Sequence, residues 1–223
     1  MWLDQTRNLV IYDDERAGKI PGAQPLNNGY HAFPATLYNL QLARWLGLPV
    51  PPPLAKYDWP GLYKPFQAQE SMANFMAVNP RCLNLSDMGT GKTLAALWAA
   101  DHVMKQQGGK AIIVAPLSTL FRVWQDAIFQ HFLGRRTCVI LWGSAEKRKT
   151  LLEMPADFYI INFDGVNVLK NEMANRSDIR LVIIDEASAY RDSTTKRHRI
   201  ARQVLMNRPY LWLMTGTPTP NSP

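Results

Sequence analysis

Six short apolar runs dominate the last two thirds of the chain, at residues 82–86, 111–115, 137–141, 158–162, 181–185 and 211–215. Each is rich in β-branched or aromatic residues, and such runs read as strands buried on both faces. The segments between them, 93–107, 120–132, 145–153 and 193–206, are long enough to be helices. Strands that alternate with helices are joined by crossovers, and crossovers make parallel neighbours. The expected fold class is therefore α/β, a parallel sheet sandwiched by helices. A chain of 223 residues with 47% hydrophobic content can bury one full core and carry a small accessory element.

The accessory element is expected at residues 1–60 and the main domain at 61–223. A proline cluster (Pro49, Pro51, Pro52, Pro53) marks the change between them. Before it, Gly and Pro turns flank one helical stretch, 35–46, with Leu37, Leu40, Leu42 and Trp45 as its expected apolar face. The two cysteines, Cys82 and Cys138, have neither metal-ligand spacing nor a disulfide framework. They read as small apolar groups in a reducing, cytoplasmic compartment. No apolar run reaches the roughly 18 residues needed to span a bilayer, and no secretory leader is visible. Trp98, Trp124 and Trp212 fall in apolar periodic runs and are expected in the core. The net charge of +7 favours a polyanionic partner.

Open α/β sheets bind ligands beyond the carboxyl ends of their strands. The first strand runs directly into Ser86-Asp87-Met88-Gly89-Thr90-Gly91-Lys92-Thr93, followed by a helix-forming run. This is a phosphate-binding loop, though it opens on Ser86 where the strict pattern has glycine. Met88, Gly89, Thr90 and Gly91 turn backbone N–H groups towards an anion at a helix N-terminus. Lys92 reaches the β- and γ-phosphates of ATP, and Thr93 offers a hydroxyl to Mg²⁺. The plainer alternative is a glycine turn with a solvated lysine.

The strand at 181–185 ends in Asp185-Glu186-Ala187-Ser188, which puts two carboxylates at the same edge. Asp185 suits Mg²⁺ held through its water shell, and Glu186 suits the activation of a water that attacks the γ-phosphate. The tetrad resembles the Asp-Glu box (DEAD/DEAH) of superfamily 2 helicases and translocases, with Ser188 as a departure at the position that links the nucleotide site to motif III. Other motifs are similar to those of the Swi/Snf branch, over about residues 61–221. Tyr63-Lys64-Pro65-Phe66-Gln67 resembles the segment whose glutamine reads the adenine edge, which implies that role for Gln67. Ala115-Pro116-Leu117-Ser118-Thr119, with Trp124 after it, resembles motif Ia. Ser118 and Thr119 then either bond nucleic-acid phosphates or cap the next helix. Gly143-Ser144 with Arg148, and Ile161-Asn162-Phe163-Asp164, resemble two further segments of this branch. Thr215-Gly216-Thr217-Pro218, with Asn221, resembles motif III, which implies a coupling role for Thr215, Gly216 and Thr217.

The resemblance implies a RecA-like P-loop fold, with ATP and Mg²⁺ as cofactors. It implies hydrolysis by Lys92, Thr93, Asp185 and Glu186, and DNA as partner, duplex favoured over RNA. It also implies a second RecA-like domain with an arginine finger beyond this chain. The expected state is a monomer in a bacterial or phage-infected cell, away from membranes. The rival reading is a non-catalytic module that grips DNA or protein. Lys196, Arg197, His198, Arg199, Arg202 and Arg208 form a basic stretch that serves either as a solvated helix face or as phosphate contacts.

Overall fold

The computed structural model describes residues 1–87 and 89–216, with the backbone alone of Asn28. Met88, Thr217, Pro218 and Asn221, each singled out above, lie outside the described residues.

The N-terminal part holds more structure than one helix. Strands β1 (Trp2–Asp4), β2 (Leu9–Tyr12), β3 (Gln24–Pro25) and β4 (His31–Pro34) form a four-stranded antiparallel sheet in the order β1-β2-β4-β3. Helix α1 (Leu37–Trp45) covers it, started by Thr36, whose hydroxyl accepts the Asn39 N–H. Its apolar face differs from the expected one. Leu37, Leu40 and Ala43 are buried, whereas Trp45 is 82% exposed. At about 100° per residue, Trp45 falls well outside the arc set by Leu37, Leu40 and Ala43. The proline cluster that follows is tied down, since the Leu54 N–H donates to Asn74 Oδ1 at 2.9 Å. Gln41 Nε2 donates to the Ala77 carbonyl at 2.9 Å and to the Tyr210 hydroxyl at 3.0 Å, which joins α1 to the main domain.

The main domain begins with α2 (Gln67–Val78), a helix not among those expected, and β5 (Arg81–Asn84). It continues through α3 (Lys92–Gln107), β6 (Lys110–Ala115), α4 (Asp126–Phe132), β7 (Cys138–Ile140), α5 (Ala145–Glu153) and β8 (Phe158–Asn162). Two short helices, α6 (Phe163–Val168) and α7 (Lys170–Ala174), lead to β9 (Ile179–Asp185), α8 (Lys196–Val204) and β10 (Tyr210–Met214). All six expected strands are present and form one parallel sheet, ordered β5-β10-β9-β6-β8-β7.

Alternate residues of each strand feed two cores, as a period of two requires. Ile113, Ile183 and Trp212 pack with Ala96, Trp98, Trp124 and Ile128 on the side of α2, α3 and α4. Ile112 and Val182 pack with Leu152, Val166, Met173 and Val204 on the side of α5 to α8. Trp98, Trp124 and Trp212 are each 0% exposed, in agreement with the core reading. Cys82 and Cys138 are partly buried against the first core, where burial raises their thiols to about 12 and about 11. Among the described residues no helix is long and apolar enough to cross a membrane.

Chain order and sheet order differ in one consequential way. The path from β5 to β6 skips two positions, which β9 and β10 fill later. The carboxyl ends of β5, β10 and β9 therefore lie side by side, with Asn84 opposite Met214 and Met214 opposite Asp185.

Candidate nucleotide site

The loop from β5 to α3 sits at that shared edge. Gly89 and Gly91 have φ of 80° and 78°, conformations that other side chains resist. A Cβ on Gly89 would meet nothing within 4 Å, so the loop is open on that side, as an anion requires. A Cβ on Gly91 would lie 2.1 Å from Gln69 Nε2, so the end of that side chain would have to move to admit one. The Lys92 ammonium folds into the loop and donates to the carbonyls of Ser86 at 2.5 Å and Asp87 at 2.7 Å. Thr90 Oγ1 donates to the Asp87 carbonyl at 2.8 Å, and Thr93 lies in the first turn of α3.

Across the edge, Asp185 ends β9. Its Oδ2 accepts the Trp124 indole N–H at 3.1 Å, and its Oδ1 accepts the Glu186 backbone N–H at 3.1 Å. Burial pushes this carboxyl up from the ordinary value of 3.8; Glu186 adds repulsion, while the Trp124 hydrogen bond and Lys92 act against the rise. Glu186 has φ 51° and ψ 54°, a left-handed conformation that costs a non-glycine residue roughly 1–2 kcal/mol. Such strain gathers at functional sites. The buried Thr215 sits beside it, with Oγ1 3.5 Å from Glu186 Oε2 and its backbone N–H on the Asn84 carbonyl at 3.1 Å. Ser86 Oγ in turn donates to Asn84 Oδ1 at 2.5 Å. Phosphate loop, acidic pair and Thr215 are thereby linked through Asn84, which sequence reading passed over. Gly216 follows directly, and Ser188 lies in a 3₁₀ turn (Ala187–Tyr190).

The two glutamines at the start of α2 fare differently. Gln67 is the first helical residue and is exposed. Gln69 is buried; its Oε1 accepts the Phe66 N–H at 2.9 Å, and it lines a cavity of about 580 Å³ with Leu62, Phe66, Leu94 and Trp98. A readable signal existed. Gln69 shares a helix face with Ala73, Met76 and Ala77, all buried, whereas Gln67 falls off it.

The remaining expected positions are placed as follows. Ser118 is exposed at the end of β6, and Thr119 Oγ1 returns to the Pro116 carbonyl at 3.0 Å, so neither hydroxyl caps a helix. The expected helix 120–132 opens as a wide π turn (Leu120–Gln125) before α4. Ser144 caps α5, and the buried Arg148 donates to the carbonyls of Leu141 and Gly143 and to Asn162 Oδ1 at 3.0 Å, which brings both weaker segments together. Of the basic stretch, Lys196, Arg199 and Arg202 are exposed, and Arg197 pairs with Asp164 at 3.0 Å. Arg208 instead turns inward to the carbonyls of Met173, Arg176, Ile179 and Val204.

The donor set fits a nucleotide with magnesium. Among the described residues there is no group of three or more His, Cys, Asp or Glu that could hold a metal alone. Magnesium needs only one or two protein oxygens beside its waters and the nucleotide's phosphates, a number that Thr93 and Asp185 would meet.

The chain is similar to several known proteins. It is 29% identical over 147 residues to "SWI/SNF-related matrix-associated actin-dependent regulator of chromatin subfamily A-like protein 1" of Xenopus tropicalis, covering 64% of this chain and 14% of that protein. The Bos taurus protein of the same name is 26% identical over 215 residues, covering 94% and 22%. The "ATP-dependent DNA helicase RecG" of Treponema pallidum is 28% identical over 144 residues, covering 61% and 21%. The chain thus spans less than a quarter of these relatives. The vertebrate matches give the expected bacterial or phage source no support. In fold, it matches the "Sulfolobus solfataricus SWI2/SNF2 ATPase core in complex with dsDNA" with a TM-score of 0.61 at 19% identity, over 74% of this chain and 34% of that one. The family model for the SNF2-related domain matches residues 67–223, most of the chain, which therefore belongs to that family as a Swi/Snf-like motor domain of superfamily 2.

Proposed function

We propose that residues 61–223 bind ATP with Mg²⁺ at the carboxyl ends of β5 and β9 and hydrolyse it to drive movement along double-stranded DNA, with residues 1–60 as an accessory element. The observation that carries this reading is the convergence, on one sheet edge, of the Lys92 ammonium, the open glycine loop, the Asp185–Glu186 pair and Thr215.

In this reading Lys92 leaves the carbonyls of Ser86 and Asp87 for the β- and γ-phosphates, and the loop's N–H groups hold the phosphate oxygens. Thr93 and Asp185 would hold Mg²⁺, which when bound would supply neutralisation of the phosphate charge. Glu186 accepts a proton from the water that attacks the γ-phosphorus, and the bond to ADP breaks. Gln69 reads the base edge, since its amide both donates and accepts and it lines the cavity beside the loop.

Duplex DNA is favoured over RNA because the fold relative was solved with double-stranded DNA. The net charge of +7 and the exposed Lys196, Arg199 and Arg202 suit a phosphate backbone. Full turnover in this reading also needs an arginine from a second RecA-like domain, a contribution of about 10³–10⁵ in rate.

The test is nucleotide affinity and ATP turnover of this chain, with and without duplex DNA, beside Lys92→Ala. Binding lost in Lys92→Ala supports the motor reading, and turnover raised by DNA extends it. If the wild-type chain binds DNA but no nucleotide, it is a binding module instead.

A further inference from the structure

Trp124 is fully buried, as a core residue should be, yet its polar edge is spent on Asp185 rather than on a backbone carbonyl. The other two buried tryptophans of the main domain behave differently. Trp98 Nε1 donates to the Pro60 carbonyl at 2.9 Å and Trp212 Nε1 to the Asn79 carbonyl at 3.1 Å. An indole is a donor only, and once buried it needs an acceptor. At Trp124 the acceptor is the carboxylate oxygen Oδ2, while the Glu186 N–H occupies Oδ1. Two N–H groups from different elements thus fix both the position and the rotation of the Asp185 carboxylate.

The backbone that carries Trp124 is unusual as well. Residues Leu120–Gln125 form a π turn, which departs from the regular α-helical spacing of α4 beyond it. Turns of this kind are rare and recur at functional sites. Here the turn sits next to β9 through β6, whose Val114 pairs with Ile184 in register.

We infer that Trp124 is a positioning residue for magnesium: its indole N–H holds the Asp185 carboxylate in the orientation that magnesium–nucleotide binding uses. This rests on the ATP-binding reading above. Hydrogen-bonding partners behind a metal's ligands commonly change metal affinity by about 10- to 100-fold when removed. The role is separate from packing, because Trp124→Phe keeps an aromatic ring and removes the donor.

The experiment titrates Mg²⁺ against the binding of a fluorescent ADP analogue to wild type, Trp124→Phe and Trp212→Phe, with binding in EDTA as baseline. Trp212→Phe also loses one buried indole donor, but from a backbone carbonyl. The expected result is a half-saturating Mg²⁺ concentration at least about tenfold higher in Trp124→Phe. Its affinity in EDTA stays near wild type, and Trp212→Phe keeps the wild-type Mg²⁺ requirement. An unchanged requirement in folded Trp124→Phe, or an equal shift in Trp212→Phe, overturns the inference alone. A wild-type chain that binds no nucleotide at any Mg²⁺ concentration overturns the ATP reading and this inference with it. A second measurement needs no variant: the assigned indole N–H resonance of Trp124 in ¹⁵N-labelled wild type. Magnesium added to the nucleotide complex is expected to move it more than the indoles of Trp98 and Trp212, and no such selective shift overturns the assignment.

Discussion

Asp101 and Asp185 are acidic groups withdrawn from solvent in the same domain, and they are treated in opposite ways. Helix α3 starts at the phosphate loop and carries Asp101 about 14 Å further along, towards the amino ends of the strands. There Asp101 is 0% exposed and accepts from Tyr57 Oη at 2.7 Å, Arg135 Nε at 2.9 Å and Arg136 Nε at 2.6 Å. Arg136 continues to Asp157, just before β8, at 3.0 Å. Burial alone would raise the Asp101 carboxyl, but the hydrogen bonds from Arg135, Tyr57 and Arg136 outweigh it and hold the group below its ordinary value. Asp185 has two neutral N–H donors, while the nearby Lys92 ammonium is turned to carbonyls. Its carboxyl is raised. A saturated charge locks segments 57–58, 101 and 135–136 together, whereas the Asp185 carboxylate has only neutral donors, as the proposed magnesium role requires.

The sharpest way to break this contrast is to remove each acid. Asp101→Ala removes the buried acceptor that Tyr57, Arg135 and Arg136 share, leaving Arg135 with Asp58 and Arg136 with Asp157, and is expected to cost about 3 kcal/mol, read as a shift in the denaturant midpoint. Asp185→Asn removes a carboxylate that burial disfavours, so stability should change by less than about 1 kcal/mol while magnesium-dependent nucleotide binding falls. Equal losses for the two variants would end the comparison.

Acid separates the two sites by sign. Because the folded-state value of Asp101 lies below the ordinary 3.8, its contribution is present above that value and disappears as pH falls below it. Asp185 is raised, so the folded chain holds its proton longer and stability declines as pH climbs past 3.8. Denaturation curves from pH 3 to 7 should therefore show wild type and Asp101→Asn converging at the acid end. Wild type and Asp185→Asn should diverge towards neutral pH.

Backbone strain offers a smaller test of the same idea. Glu186 holds φ 51°, whereas no residue of the Asp101 cluster has positive φ. Glu186→Gly is expected to gain about 1 kcal/mol, the relief of strain less the added freedom of the unfolded chain, or about 2–4 °C in Tm. Hydrolysis would be lost at the same time. A lower Tm would show that the Glu186 side chain contributes more than its backbone costs.

The same contrast explains what could be read in advance. The sheet was legible because each strand is a continuous apolar run, and the phosphate loop and acidic pair because their residues are adjacent in sequence. The Asp101 cluster was not, since its members are drawn from residues 57 to 157 and nothing local marks them. The N-terminal sheet was missed because its strands are two to four residues long and one of them contains Pro25. Apolarity alone put Trp45 on the apolar face of its helix, where it does not lie, and hid the donor edge of Trp124. Arg208 read as part of a solvated or phosphate-binding basic stretch but satisfies backbone carbonyls inside the fold.

Gln67 and Gln69 carry this lesson to the smallest effect. The family pattern pointed to Gln67, but helix geometry turns Gln69 towards Gly91 and the cavity, whereas Gln67 is exposed. A hydrogen bond to a base in an open cavity contributes about 0.5–1 kcal/mol, so the loss is two- to fivefold. Affinity alone is a poor measure, because Gln69 also accepts the Phe66 N–H and packs on the loop, so its removal weakens every nucleotide. The ratio of ATP to GTP affinity removes that common factor. Gln69→Ala should lower the ratio about two- to fivefold and Gln67→Ala should leave it unchanged. The reverse pattern would return the base-reading role to Gln67 and require α2 to rotate when nucleotide binds.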